Sequence, residues 1–282
     1  MTAGAPSRPC ALVTGASSGI GAAFASRLAH DHYDLVIVAR RRERLETLAQ
    51  QLRDEQQARV EVLVADLTRP DELHAVEKRM AEDTALELLV NNAGFGGYMP
   101  FLTLDPDRAE ELIRLQVVAV TRLTRIALQG MVARRRGVII NVSSRLAFSG
   151  SLDSPPLPKR ATYAATKAYI NAFTQILQTE LEGTGVRVQA LCPGIVRTEF
   201  HQRMGMDPRQ FPPALVMKPE DLVAASLAGL DLGEVICVPT LDDPAHLAGL
   251  QESERRLLEH SNGGTVAKRY RRWGSAEADQ ER

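Results

Sequence analysis

Cysteine, tryptophan and histidine are all scarce in this chain. Its 282 residues hold three cysteines, one tryptophan and six histidines, and aromatic residues make up 5%. The cysteines, Cys10, Cys192 and Cys237, are odd in number and far apart. That spacing excludes a disulfide framework and a paired-cysteine zinc site, and it suits a reducing cytosol. His30 and His32 lie two residues apart and the other histidines are scattered. Two apart on a helix means two different faces, so no metal site is expected. The formal net charge is -1, which offers no bulk field to nucleic acid or an anionic membrane. No apolar run approaches the ~18 residues that span a bilayer. The opening MTAGAPSRPC lacks the apolar core of a signal peptide. The expectation is a cytoplasmic protein with no integral membrane segment.

What the chain does have is alternation. Hydrophobic residues make up 44% and charged residues 24%, enough for a sizeable core. Short, nearly continuous apolar runs predict strands over residues 10–14, 34–39, 60–65, 86–91, 137–143, 186–192 and 234–239. Strands apolar throughout are buried on both faces. Between them, amphipathic patterns predict helices over 19–31, 41–57, 70–82, 106–134, 161–182 and 219–230. Strict alternation implies right-handed crossovers. The predicted fold is therefore α/β: a Rossmann-type doubly wound parallel sheet of about seven strands, with helices on both faces. Residues 1–8 read as an arm, 9–240 as one domain, 241–274 as a helical C-terminal extension and 275–282 as a frayed tail. Ligands in such sheets bind at the carboxyl ends of the strands.

The first such end carries TGASSGIG, residues 14–21, between a predicted strand and a predicted helix. Gly15, Gly19 and Gly21 allow a tight turn and close approach of a pyrophosphate, Ser17 and Ser18 add hydroxyls, and the helix N-terminus favours an anion. The second strand end reads VARRRER, with Ala39 followed by Arg40, Arg41 and Arg42. An NAD-binding chain usually places an acidic residue there. Cations at a helix N-terminus oppose the macrodipole. A ribose 2′-phosphate would compensate them, which favours NADP over NAD. A third feature is Tyr163 and Lys167 in TYAATKAYI, one helical turn apart and on one face, among small alanines.

TGASSGIG, ADLT (65–68), NNAG (91–94), NVSS (141–144), YAATK (163–167) and PGIVRT (193–198) occur in that order, each at or just after a strand's carboxyl end. Together they resemble the classical short-chain dehydrogenase/reductase family, over about residues 9 to 240. The resemblance implies a set of roles. Gly15, Ser17, Gly19, Ile20 and Gly21 hold the pyrophosphate, with Ser18 beside them. Arg40, with Arg41, meets the 2′-phosphate. Asp66 and Leu67 hold the adenine, and Asn92, Ala93 and Gly94 line the adenosine ribose side. Pro193, Gly194, Val196 and Thr198 close over the nicotinamide. Tyr163 is the general acid, Ser144 rather than Ser143 binds the substrate oxygen, and Lys167 binds the nicotinamide ribose. A nearby ammonium and the oxidised nicotinamide would both lower the Tyr163 pKa. The implied assembly is a homodimer or homotetramer paired through the helices at 106–134 and 161–182.

Two departures stand out. Gln116, in IRLQVVAVTRL, falls where the family carries a catalytic Asn that holds a proton-relaying water. Gln is longer by a methylene, and a misplacement of about 1 Å can cost on the order of 10²-fold in rate. With Ser144, Tyr163 and Lys167 all present, the expectation is that Gln116 is tolerated. On that view Gln116→Asn changes kcat modestly and leaves NADP binding alone. The link between Ser144 and Tyr163 is also long and carries Pro155, Pro156 and Pro158. It serves either as a rim to the substrate mouth or as a neutral insertion. Phe95, Tyr98, Met99, Phe148, Phe200 and Met204 are candidate pocket residues and suggest an apolar carbonyl or secondary alcohol. The expected function is an NADP(H)-dependent oxidoreductase on a small-molecule substrate. A sensor or scaffold that binds NADP with little turnover is the alternative, favoured by Gln116 alone. The basic segment near residue 270 reads as a solvated helix, not a nucleic-acid site.

Overall fold

The computed structural model describes residues 8–150, 157–207 and 210–273. The arm up to residue 7, Pro155 and Pro156 of the proline-rich link, and the tail from residue 274 lie outside the described residues. The chain divides into two compact units, Met1–Thr240 and Leu241–Arg282.

In the first unit the apolar runs form strands β1 (Cys10–Thr14), β2 (Asp34–Ala39), β3 (Val60–Val64), β4 (Leu86–Asn91), β5 (Gly137–Val142) and β6 (Val186–Leu191). Two further strands, β7 (Ile195–Val196) and β8 (Val216–Met217), form a small parallel pair of their own, and β9 (Ile236–Cys237) returns to the main sheet. The main sheet has seven strands in the order β3-β2-β1-β4-β5-β6-β9, and every neighbouring pair is parallel. The chain runs outward from β1 to β3, then crosses back to place β4 on the other side of β1. This reversal opens a crevice at the carboxyl ends of β1 and β4.

Strand side chains alternate between two cores, as the pleat requires. Ala11 and Val13 face a cluster with Phe24 and Leu28 of α1 (Gly19–His30), Leu45 and Leu52 of α2 (Arg42–Gln56) and Leu222 and Leu230 of α8 (Pro219–Asp231). Cys10 and Leu12 face the other cluster. There Leu73 and Met80 of α3 (Pro70–Ala81), Leu123 and Met131 of α5 (Val120–Ala133) and Leu177 of α6 (Ala161–Glu180) cover the sheet. Helices on both faces explain why these strands read as apolar throughout.

The structure differs from the periodic pattern in two places. The predicted helix 106–134 is α4 (Pro106–Ile113), a π-helical turn (Arg114–Ala119) and α5. A wider turn rotates the apolar stripe without ending it, so hydrophobic spacing conceals it. The predicted strand 234–239 shrinks to two residues that pair with Ala190 and Leu191. Its start is drawn away, because the Glu234 N–H donates to Gly229 O at 2.8 Å. The short helix α7 (Glu199–Gln202) follows β7. In the second unit α9 (Ala245–Ser261) is laced by Arg255–Glu252 and Arg256–Glu252 ion pairs one turn apart. Lys268–Trp273 form a 3-10 helix. No helix among the described residues is long and apolar enough to cross a membrane.

Candidate active site

The crevice begins where β1 ends. Gly15 adopts φ +68, and a Cβ there would lie 2.8 Å from Ala93 Cα. A Cβ on Gly21 would lie 2.5 Å from Gly15 O. Only glycine lets the turn, α1 and the strand β4 terminus meet this closely. The turn is pinned to that terminus. Thr14 Oγ1 accepts from the N–H groups of Asn92 and Ala93, each at 3.0 Å. Asn92 Nδ2 donates to Thr14 O at 2.9 Å. The Asn92 side chain is thus spent on the fold. A second polar chain, Asn91 Nδ2 to Asn141 Oδ1 at 2.9 Å and Asn141 Nδ2 to Thr174 Oγ1 at 3.1 Å, joins β4 to β5 and α6 through the buried interior.

Ser18 is the N-cap of α1, yet its side chain caps no N–H. Instead Ser17 Oγ and Ser18 Oγ each accept from Arg41 Nη2 at 2.8 Å. The first turn of α1 thereby keeps its donors toward the crevice, the arrangement that suits a phosphate. Burial opposes ionisation of Asp66. The Thr68 N–H at 3.0 Å, the Thr68 hydroxyl at 2.8 Å and Arg40 at 3.4 Å outweigh it and hold the carboxyl below its usual range. The arginines are less isolated than the sequence implies. Arg40 pairs with Asp66, and Arg41, Arg44 and Arg203 all meet Glu199. Of these, Arg40, Arg41 and Arg203 line the crevice against Asp66 and Glu199, a surplus of one positive charge at this end. The glycine turn and the uncapped helix start fit the pyrophosphate of a dinucleotide.

At the other end, Tyr163, Ser144 and Lys167 are all at least nine-tenths buried. Ser144 lies two residues past the end of β5 and caps a 3-10 turn, accepting from Leu146 N at 3.1 Å, with its hydroxyl beside Tyr163. The Ser143 hydroxyl is engaged by the fold, donating to Lys167 O at 3.0 Å. Lys167 Nζ donates to Val142 O at 2.8 Å. Burial lowers the lysine to about 7. In the free protein the Tyr163 phenol is raised well above its ordinary value. Burial is the main cause, and Tyr98 adds to it. The Lys167 ammonium is turned to the β5 carbonyl, with Nζ 5.7 Å from the Tyr163 ring centre.

Gln116 lies in the π-helical turn and is 1% exposed. Its Nε2 donates to Phe95 O at 2.9 Å, and its Oε1 accepts from Thr166 Oγ1 at 2.8 Å. Thr166 also donates to Tyr163 O at 2.8 Å. Gln116 therefore clamps the loop after β4 to the helix that bears Tyr163.

All the nucleotide and catalytic residues named from the sequence line one continuous cleft, except Gly21, which backs the turn from beneath. Phe95, Tyr98, Phe200 and Met204 line it too. Met99 and Phe148 do not; Met99 is 40% exposed. Tyr98 meets Tyr163 edge-on at 5.0 Å. Burial pushes Tyr98 up to about 12. Arg160 does not face the cleft for a ligand, since it anchors the proline-rich link through Ser149 Oγ at 2.7 Å and Pro158 O at 2.9 Å. Sequence reasoning missed Arg108, which lies 3.6 Å over the Phe95 ring, while Glu199 and His201 fall in the stretch TEFHQRMGM (198–206), a candidate for the pocket lining in which neither residue had a role of its own. Only Glu199 left a signal: arginines at the start of a helix call for a counter-charge. No group of His, Cys, Asp or Glu among the described residues is arranged to hold a metal.

A family model described as short chain dehydrogenase matches residues 9–208. A short-chain dehydrogenase from Sphingobium yanoikuyae, solved in complex with NADPH, is 39% identical with a TM-score of 0.87, covering 93% of this chain and 100% of its own. The bulky-bulky ketone specific alcohol dehydrogenase from Comamonas testosteroni is 34% identical with a TM-score of 0.83, covering 93% and 98%. The human inactive hydroxysteroid dehydrogenase-like protein 1 is 33% identical over 192 residues, 67% of this chain. The chain spans only 56% of the length of that relative.

Proposed function

Since the chain belongs to the short-chain dehydrogenase/reductase family, we propose that it is an NADP(H)-dependent oxidoreductase acting on an apolar carbonyl or the matching secondary alcohol. The observation that carries this is that Ser144, Tyr163 and Lys167 are all buried on the same cleft as the glycine turn. When bound, the nicotinamide supplies or receives the hydride. The chain's residues do the rest. Ser144 and Tyr163 hold the carbonyl oxygen, and Tyr163 passes its proton to that oxygen in reduction and takes one back in oxidation. A phenol raised by burial keeps its proton until the substrate arrives. Lys167, whose Nζ donates to Val142 O, would hold the nicotinamide ribose. The positive surplus around Arg40 and Arg41 supports NADP(H) over NAD(H), in keeping with the NADPH bound to the Sphingobium relative. Phe95, Tyr98, Phe200 and Met204 support an apolar substrate, and the ketone-specific relative makes bulky ketones the first compounds to try.

Exposed Ile113, Val118 and Val132 on the α4–α5 stretch and Ile176 on α6 support a homodimer or homotetramer built on those helices. Three free, buried thiols support the cytoplasm as location. The second reading, an NADP(H)-binding sensor with little turnover, is favoured by one observation: both ends of the Gln116 amide are engaged by the fold. Loss of NADPH absorbance with a panel of hydrophobic ketones and aldehydes, and its absence in Tyr163→Phe, is the expected outcome. NADPH bound without turnover on any of them would favour the sensor.

A further inference from the structure

One carboxylate ties together three parts of the cleft's anionic end. Glu199 is the first residue of α7, directly after Thr198, whose hydroxyl caps that helix. It accepts from Arg41 Nη1 at 3.1 Å, from Arg203 Nη2 at 2.6 Å and from Arg44 Nη1. Arg41 reaches back from the start of α2 to both serines of the glycine turn. Arg41, Glu199 and Arg203 line the cleft, whereas Arg44 stands outside it. The arginines that hold Glu199 keep it ionised down to a pKa of about 2. An anion fixed against the cations of a phosphate subsite is a competitor for them.

We propose that Glu199 is an internal counter-anion of the 2′-phosphate subsite: it pairs with Arg41 in the free protein, shares that arginine with the 2′-phosphate when NADP(H) binds, and so sets how strongly the protein distinguishes NADP(H) from NAD(H). This rests on the NADP(H) preference proposed above. The carboxylate is unfavourable to a phosphate and indifferent to the 2′-hydroxyl of NAD(H), so its charge acts on the ratio of the two affinities. Glu199 also precedes Phe200, whose ring lies 6.2 Å from those of Tyr98 and Tyr163. Movement at the subsite is therefore one residue from the aromatic wall.

The test is calorimetric titration of NADPH and NADH into the wild-type protein, Glu199→Gln and Arg44→Met. Removing the charge raises the NADPH-over-NADH affinity ratio, by about three- to tenfold for a partly screened anion near a doubly charged phosphate. Arg44→Met has the opposite sign. It takes away the outside partner, leaves Glu199 more tightly on Arg41, and lowers the ratio. A wild type that prefers NADPH, with a ratio unchanged or lowered in Glu199→Gln, overturns the role of Glu199. Should Glu199→Gln fail to fold, Arg44→Met with an unchanged or raised ratio overturns it equally. A wild type without NADPH preference overturns the NADP(H) reading itself, and the counter-anion role falls with it.

Discussion

Replacing Gln116 by Asn restores the residue type the family usually carries, and the structure predicts damage. Gln116 is 1% exposed and bridges Phe95 O at 2.9 Å and Thr166 Oγ1 at 2.8 Å. Asn shortens the side chain by one carbon–carbon bond, about 1.5 Å. Neither partner then stays within hydrogen-bond range. Thr166 keeps its bond to Tyr163 O, but Phe95 O loses the Gln116 donor. A buried group left without its partner costs about 1–3 kcal/mol, and the missing methylene about 0.8 kcal/mol more. A loss of about 3 kcal/mol lowers the Tm of a unit this size by roughly 6–12 °C. The loop carrying Tyr98 is released at the same time, so kcat falls. Thermal unfolding by circular dichroism reads the first effect and steady-state turnover the second. A variant with unchanged Tm, or one with raised kcat, would refute the clamp.

Two further perturbations follow from the buried titratable groups. Lys167 has its pKa lowered by burial from 10.5 to about 7, so between those values the unfolded chain binds more protons and stability rises with pH. Lys167→Met should therefore stabilise the free protein most at about pH 6 and progressively less toward about pH 10; a Tm gap that does not change with pH would contradict this. Tyr163 is raised by burial and, secondarily, by the Tyr98 hydroxyl. Tyr98→Phe keeps the ring and removes that hydroxyl, so the acidic limb of kcat/KM for alcohol oxidation moves to lower pH, and a limb that stays put or moves up counts against the coupling.

The sheet was legible because its strands are buried on both faces and its crossovers are regular. Continuous apolar runs such as DLVIVA and LELLVN leave no other assignment, and their ends bracket β2 and β4. The edge strand was overread, since EVICVP is apolar along its length while backbone pairing holds only Ile236 and Cys237. The π-helical turn was invisible because it keeps an apolar face. In the site, Gly15, Ser144, Tyr163 and Lys167 were readable from the order of the motifs, the first two just past strand ends and the last two one turn apart on α6. Partnership across the chain was not. Glu199 lies 155 residues from Arg44 and 158 from Arg41, and no local pattern announces such a pair. The direction of the Lys167 ammonium was illegible for a related reason. Spacing on α6 puts Lys167 one turn away, but only the fold shows its ammonium drawn to Val142 O.

The central claim is that Tyr163 drives hydride transfer between NADPH and a carbonyl. The most direct measurement uses NADPH deuterated at the transferable position of the nicotinamide, with a bulky aryl ketone, and mass spectrometry of the alcohol formed. The account predicts one deuterium in the product alcohol from the wild-type protein and no product from Tyr163→Phe. Product without deuterium, or equal product from Tyr163→Phe, would contradict it.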